Sequence, residues 1–186
     1  MNIIIKPIVV LNEKELIELF RFWSKGTQSE KHLLSETTSS LRKNILNAVA
    51  AYDKYEIVGA AGIFEARTKM KETILFNNKR VVELGSNYIQ PEYRGKGLGT
   101  LLLKKRLEIS LKKNWFTVSV TTNPAMQKIF TAIEGNPMDD LDAFKKLRAQ
   151  LCLCTGSVHD INSCPFEKNA AWFFKKHDKD TKKCES

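Results

Sequence analysis

Apolar and polar positions alternate along this chain in a way that predicts a mixed set of strands and helices. Short apolar or alternating runs are typical of strands, whereas leucines and aromatic residues recurring every three or four positions are typical of amphipathic helices. The predicted strands occupy residues 1–10, 49–52, 57–64, 73–76, 80–89 and 116–120. The predicted helices occupy residues 12–23, 36–46, 98–111 and 124–133.

Turn-forming residues separate several of these elements. Asp53-Lys54 lies between two apolar runs and predicts one hairpin, and Asn77-Asn78 predicts a second. Residues 26–35 are polar and predict a loop beside an acceptor pocket.

The pattern is weaker in the C-terminal part. Three short elements are predicted there: a helix over 141–151, a strand over 149–155 and an aromatic helix over 169–177. We expect a domain over residues 1–138 and an atypical part, 139–186, that completes or extends it. The charged tail from about residue 178 is expected to be disordered.

Composition limits the classes of protein that the chain can represent. Its 186 residues fit one domain, and 42% hydrophobic with 27% charged residues is ordinary for a globular protein. No apolar run is long enough to span a membrane, and the N-terminal residues do not form a signal peptide. Four cysteines without an export signal favour reduced thiols and a cytoplasmic location.

The net charge of +9 has two interpretations, a nucleic-acid surface or a ligand that carries several phosphates. The basic residues occur as scattered short runs, which are typical of solvated helix faces. These runs are Lys104-Lys105-Arg106, Lys112-Lys113, Lys145-Lys146, Lys175-Lys176 and Lys182-Lys183.

The glycines Gly95, Gly97 and Gly99 lie between a predicted strand and a predicted helix. Glycine leaves the backbone amides uncovered, and the start of a helix presents unpaired N–H donors. The segment therefore predicts a cradle for a pyrophosphate group.

Two common nucleotide motifs do not fit the segment. A P-loop requires a lysine followed by serine or threonine after the last glycine, and the chain has none there. The dinucleotide fingerprint requires a different glycine spacing.

The segment Arg94–Gly99 resembles motif A of the GNAT acyltransferase superfamily, Arg/Gln-x-x-Gly-x-Gly/Ala. A strand that begins at Val82-Glu83-Leu84 runs into Tyr88–Tyr93, which resembles a common lead-in of the family, and Asn123–Phe130 resembles its Asn-x-x-Ala/Met-x-x-Leu-Tyr segment. The resemblance covers about residues 3–135. It implies an α/β fold, a mixed α+β arrangement with a mixed central sheet and helices on both faces.

The resemblance also implies an acyl-CoA site. Pantetheine would lie along the 82–90 strand, the pyrophosphate would bind the amides after it, and Asn123 would contact CoA or else simply cap a helix. The cofactor-binding residues implied in this way are Tyr88, Ile89, Gln90, Arg94, Gly95, Lys96, Gly97, Leu98, Gly99, Thr100 and Asn123.

Glu83 and Tyr88 are the candidate catalytic residues. The family often places a glutamate on this strand to deprotonate the amine, although a strand glutamate can equally be a solvent-facing or ion-paired residue. Ser86 and Tyr88 alternate along the strand and are expected to face the same cleft as Glu83.

One position departs from the family pattern. Phe130 occupies the place where the family frequently has a tyrosine that protonates the leaving thiolate, and phenylalanine has no proton to give. Tyr88, Ser119, Thr121 or water would have to replace it, or the chain binds acyl-CoA and catalyses poorly.

A cysteine and histidine cluster stands apart from the acyl-CoA site. Cys152, Cys154, His159 and Cys164 come within one residue of the spacing of a zinc knuckle. Two cysteines separated by one residue are more typical of buried thiols on one face of a strand, with the histidine at the surface, so no metal is expected.

The resemblance implies a cytoplasmic N-acetyltransferase, a transferase that moves acetyl from acetyl-CoA to a primary amine. The amine would attack directly in a ternary complex, without an acyl-enzyme. Two alternatives stay open: a non-catalytic acyl-CoA-binding or regulatory module, and a toxin that acetylates aminoacyl-tRNA through its basic runs. The expected partners are acyl-CoA, an amine and a second copy in a homodimer; no membrane partner is expected.

Overall fold

The computed structural model describes residues 3–8, 12–29, 45–66, 72–121, 123–133, 135–137 and 170–174. The strands in these ranges are β1 (Ile3–Ile8), β2 (Ile45–Asp53), β3 (Glu56–Glu65), β4 (Leu75–Phe76), β5 (Lys79–Ile89), β6 (Phe116–Thr121), β7 (Asn136–Pro137) and β8 (Ala170–Phe174). The helices are α1 (Glu13–Ser29), α2 (Leu98–Lys112) and α3 (Pro124–Ala132), with a 3₁₀ turn at Pro91–Tyr93.

The strands form one mixed sheet in the order β1-β2-β3-β5-β6-β8-β7, and β4 pairs with β5 outside this path. The β5–β6 pair is parallel, and every other described pair is antiparallel. A parallel pair needs a crossover, and α2 provides it. The predicted mixed sheet is confirmed.

Helix α1 covers one face of the sheet. Its apolar stripe, which includes Leu19, Phe20 and Trp23, forms a core with residues of β2, β3 and β5. The helix extends beyond the predicted end and includes Gly26, where an added Cβ would lie 2.7 Å from Cγ of Tyr88. The predicted loop over 26–35 is therefore wrong for its first four residues, because the glycine allows the helix to continue against the Tyr88 ring.

Helices α2 and α3 cover the opposite face. Leu103 and Phe130 pack with Ile63, Val82 and Leu84 of the sheet. A second cluster joins Leu98 and Leu102 to small residues of β2 and β3. The prediction of helices on both faces is confirmed.

Both predicted hairpins are present. Asn77 and Asn78 have φ values of 50° and 58°, as expected for a two-residue turn in which both central residues are left-handed. Lys54 has φ 55° at the β2–β3 turn.

Two predicted helices differ from the structure. Residues 170–174, expected within an aromatic helix, form strand β8 between β6 and β7. A short apolar run has no periodicity that distinguishes a helix from a buried strand, and pairing with β6 decides the outcome. Ile45 and Leu46, expected at the end of the helix over 36–46, begin strand β2.

Several predicted elements lie outside the described residues: the rest of the 36–46 helix, the 141–151 helix, the 149–155 strand and the tail from 178. Within the described part of the chain, no helix has the length and apolar character needed to cross a membrane.

Candidate functional site

The site is a cleft that opens where β5 and β6 separate. The two strands pair only from Val81 to Glu83 of β5, and Glu83 opposite Val118 is the last pair. The Ser119 hydroxyl donates to the Leu84 carbonyl at 2.8 Å and closes the inner end. Beyond this point lies a cleft of about 610 Å³, lined by β5, the glycine-rich turn, α2, β6 and α3.

Strand β5 contains one more residue than the matching part of β3, and this changes the face of the sheet on which the following side chains of β5 lie. Ala60 and Gly62 of β3 are two positions apart, whereas their partners Tyr88 and Gly85 are three apart, which is a β-bulge. Ser86 has φ 49° within it.

The bulge places Tyr88 on the same face of the sheet as Glu83. In a regular strand, side chains five positions apart lie on opposite faces of the sheet. The prediction that side chains alternate regularly along β5 is therefore wrong. The partners of Glu83 and Tyr88 are Phe64 and Ala60, which both pack on the α1 side. Ser86 and Tyr88 line the cleft, whereas Glu83 is not one of its lining residues and belongs to the last β5–β6 pair, next to the inner end.

The predicted phosphate cradle forms the outer end of the cleft. Gly95 and Gly97 have φ values of 72° and 78°, and an added Cβ at either position would have nothing within 4 Å. Gly97 is the N-cap of α2, and its carbonyl accepts from the Leu101 amide at 3.1 Å. The first amides of α2 have no acceptor within the helix, and residues Leu98–Thr100 line the cleft, as the predicted binding of an anion requires.

Side chains around the cradle hold the turn in place. The Arg94 Nε donates to the Ile89 carbonyl at 2.9 Å, and the Lys96 ammonium donates to the Glu92 carbonyl at 2.8 Å. The Tyr93 hydroxyl donates to Asp53 at 3.0 Å, and this bond raises the pKa of Tyr93 above its ordinary value. Two cations thus lie at the edge of the predicted cradle, where positive charge favours an anionic ligand.

The remaining predicted cradle residues have structural contacts as well. Gln90 donates from its side chain to the Ile57 carbonyl at 3.2 Å and from its backbone to the Val58 carbonyl at 3.0 Å. A Cβ on Gly99 would lie 3.1 Å from Cδ1 of Ile129, so this glycine allows α2 to approach α3 closely. Leu98 is buried beneath the turn, and Thr100 lines the cleft.

Asn123 caps helix α3 at the opposite wall of the cleft. Its Oδ1 accepts from the Ala125 amide at 2.9 Å, which is an ordinary N-cap bond. The capping interpretation is thus observed. The cofactor contact stays a prediction, and it would have to come from Nδ2.

Tyr88 and Phe130 are buried in the walls of the cleft. The Tyr88 ring packs 5.2 Å from the ring of Phe22, and the guanidinium of Arg94 lies 5.8 Å from its centroid. Phe130 is 1% exposed and supplies only apolar surface.

Sequence reasoning missed Arg106. The prediction of a solvated face holds for Lys104, which is exposed, but Arg106 is 1% exposed and lines the cleft. A signal was present, because Leu102, Arg106 and Ser110 are each four positions apart and share the buried stripe of α2.

The candidate zinc ligands Cys152, Cys154, His159 and Cys164 lie outside the described residues. Among the residues that the structure does describe, no cluster of three histidine, cysteine, aspartate or glutamate side chains is placed to hold a metal.

Comparisons with known proteins agree with this geometry. No curated protein sequence matches the chain significantly. Among solved structures, the NatC complex bound to Gag peptide and CoA aligns with 93% of this chain and 96% of its own, at 13% identity and a TM-score of 0.60. A predicted acetyltransferase with acetyl-CoA from Clostridium acetobutylicum aligns over 77% and 98%, at 14% identity and a TM-score of 0.58. A GNAT family acetyltransferase from Brucella melitensis in complex with acetyl-CoA aligns over 73% and 83%, at 12% identity and a TM-score of 0.55.

These structural alignments show that the fold is shared. The family is shown by the sequence. The profile of the acetyltransferase (GNAT) family matches residues 13–132, well over half of the chain. The chain therefore belongs to the GNAT family of acetyltransferases.

Proposed function

We propose that this protein is an acyl-CoA-dependent N-acyltransferase that transfers an acyl group, in the simplest case acetyl from acetyl-CoA, to a primary amine. One observation carries the proposal: the cleft between β5 and β6 ends at a phosphate cradle on the N-terminus of α2. A ligand that fits it needs a pyrophosphate at one end and a narrow extended arm, and acyl-CoA has both.

In this proposal, main-chain groups of β5 hold the pantetheine arm. The part of β5 around Tyr88 and Ile89 pairs with β3 on one side, whereas its other side faces the cleft. The pantetheine amides can bond there as an added strand would. The Arg94 amide already donates to the Pro91 carbonyl at 3.1 Å, so the amides from Gly95 to Thr100 take the pyrophosphate, and Asn123 contributes from the opposite wall.

Glu83 is the proposed general base. It lies where β5 and β6 part, on the α1 face, and the proposal requires the amine to approach the thioester from that side. The amine nitrogen attacks the thioester carbonyl, the C–N bond forms and the C–S bond breaks. Glu83 accepts the amine proton through water, and the thiolate takes a proton from Tyr88 or from water.

The test is acetyl-CoA turnover on a panel of amines, together with a Glu83→Gln variant. We expect this variant to bind acetyl-CoA like the wild type and to lose about 10²–10⁴-fold in kcat, the usual contribution of a general base. The matched control is Glu56→Gln, an exposed glutamate at the start of β3, which should leave turnover unchanged. Full turnover by the Glu83→Gln variant would remove Glu83 from the mechanism.

A second candidate function is a non-catalytic acyl-CoA-binding module. Phe130 favours it, because the side chain lines the cleft and cannot protonate a thiolate. Tight binding of acetyl-CoA without turnover on any amine of the panel would support this alternative.

A further inference from the structure

Arg106 is a buried cation in the wall of the cleft. Its Nη1 donates to the Gly62 carbonyl at 3.2 Å and to the Gly85 carbonyl at 3.3 Å, and its Nε donates to the Leu102 carbonyl at 3.4 Å. Gly62 and Gly85 border the β5 bulge. The guanidinium therefore lies directly beneath the irregular part of the strand that would carry the acyl donor.

The charge of this guanidinium has no negative counterpart in the part of the chain that the structure describes. The three carbonyl acceptors are neutral, and Nη2 is buried without a hydrogen-bond partner. Burial lowers the pKa of Arg106 to about 9, so the group is still protonated at pH 7. A buried cation that has only neutral hydrogen-bond partners is unfavourable, and an anion that reaches it gains a charge-assisted hydrogen bond.

The distance from the phosphate cradle places Arg106 beside the acyl end of a bound thioester. Two carbonyls of β3 mark the two ends: the Gly62 carbonyl accepts from Arg106, and the Val58 carbonyl accepts from Gln90, which lies at the start of the cradle. These two carbonyls are four residues apart. Four residues of strand span about 13 Å. The pantetheine arm has about twelve bonds, as many as four residues of backbone, and extends roughly 13–14 Å.

The walls around this end are mostly apolar. Leu84 and Phe130 are buried beside Arg106, and the Ser119 hydroxyl is already bonded to the Leu84 carbonyl. An uncharged acyl chain would leave the guanidinium without an anion, whereas an acyl chain that ends in a carboxylate would supply one.

We propose that the cleft prefers acyl-CoA donors whose acyl chain ends in a carboxylate, and that Nη2 of Arg106 binds this carboxylate. The inference rests on the proposed acyl-CoA site and specifies the class of donor. Arg106 is thus a specificity-determining residue for the donor. Its bonds to the Gly62 and Gly85 carbonyls hold the guanidinium under the bulge, and because Nη2 is buried there, the bulge has to shift for the carboxylate to reach it.

The test is a matched pair of donors, succinyl-CoA and butyryl-CoA, which have four-carbon acyl chains and differ in a terminal carboxylate against a methyl group. Binding to the full chain is measured by calorimetry, with CoA itself as the reference ligand. We expect the wild type to bind succinyl-CoA about tenfold or more tightly than butyryl-CoA, as one buried charge-assisted hydrogen bond implies. An Arg106→Met variant should bind butyryl-CoA at least as well as succinyl-CoA, and Arg106→Lys should keep part of the preference.

The outcomes separate this inference from the proposed function. If the wild type binds CoA but binds the two donors equally, or prefers butyryl-CoA, the carboxylate site is wrong and the acyl-CoA site stands. A succinyl preference that survives in a folded Arg106→Met variant also overturns the assignment to Arg106. If the wild type binds none of the three ligands, the proposed function fails and the inference fails with it. Thermal unfolding verifies that each variant is folded, and if the methionine variant is not, the wild-type comparison together with Arg106→Lys decides.

Discussion

Replacement of Gly97 by alanine would test the phosphate cradle. Gly97 has φ 78°, and no atom lies within 4 Å of an added Cβ, so the substitution strains the backbone without a clash. The left-handed conformation costs an L-residue about 1–2 kcal/mol. Restriction of the unfolded chain offsets about 0.4–1 kcal/mol of this. We expect a net destabilisation of about 1 kcal/mol, which lowers Tm by about 2–4 °C for a chain of this size.

The same Cβ would occupy the space that the proposed pyrophosphate fills. Loss of one hydrogen bond from an amide to a charged group costs about 1.5–3 kcal/mol. We therefore expect CoA affinity to fall by about 10- to 100-fold, measured by calorimetry.

An asparagine at position 97 provides the matched variant. Asparagine tolerates the left-handed region, so Gly97→Asn should be more stable than Gly97→Ala and still lose CoA affinity. Wild-type affinity in both variants would show that the cradle is not the phosphate site. Equal losses of stability in both variants would show that the strain argument is wrong.

Three further substitutions test the packing, the cap and a surface ion pair. Gly62→Ala would place a Cβ against the ring of Phe64, and we expect overpacking to destabilise the protein by about 1–3 kcal/mol in thermal unfolding. Asn123→Ala removes the cap of α3 and should cost about 1 kcal/mol, whereas Asn123→Asp should keep most of it. Lys105 hydrogen-bonds Glu108 at 2.8 Å and lowers the pKa of Glu108, so Lys105→Ala should return that pKa toward its ordinary value in an NMR titration. The ion pair stabilises the protein at pH values above the pKa that Glu108 has in the unfolded chain. This stabilisation is lost as the pH falls through the pKa that Glu108 has in the folded protein. Because both side chains are exposed, we expect it to be at most about 0.5 kcal/mol.

The fold was predictable where the pattern of the sequence is local. The two hairpins, the helix after the glycine-rich turn and the capped helix at Asn123 each have short-range signals, and the structure confirms them. Strand β8 was not predictable in this way, because its conformation depends on pairing with β6, which is distant in sequence. The continuation of α1 through Gly26 depends likewise on a tertiary contact with Tyr88.

The candidate site was predictable in part. The positive φ values at Gly95 and Gly97 are those that a glycine-rich phosphate turn requires, and the order of the motifs places that turn beside β5. The left-handed residue of the bulge is Ser86 and not a glycine, so the shared face of Glu83 and Tyr88 could not be derived from alternation. The adjacent Gly85 was the available signal, because a glycine inside a strand often marks a bulge. Arg106 belongs to a run of basic residues, and such a run predicts a solvent-exposed position. Only its spacing along the helix indicates that the side chain is buried.

The position of β8 has a consequence for how the chain is completed during synthesis. The cleft proposed to bind acyl-CoA is built from residues between Leu84 and Phe130, whereas the strand that pairs with the other side of β6 begins only at Ala170. Until Ala170–Phe174 leaves the ribosome, β6 is paired only with β5 and β7 has no neighbour, as far as the described strands are concerned. An exposed edge of this kind is a template for pairing with other chains. The nascent protein is therefore most prone to aggregation after its ligand-binding residues have been made and before its last described strand has docked.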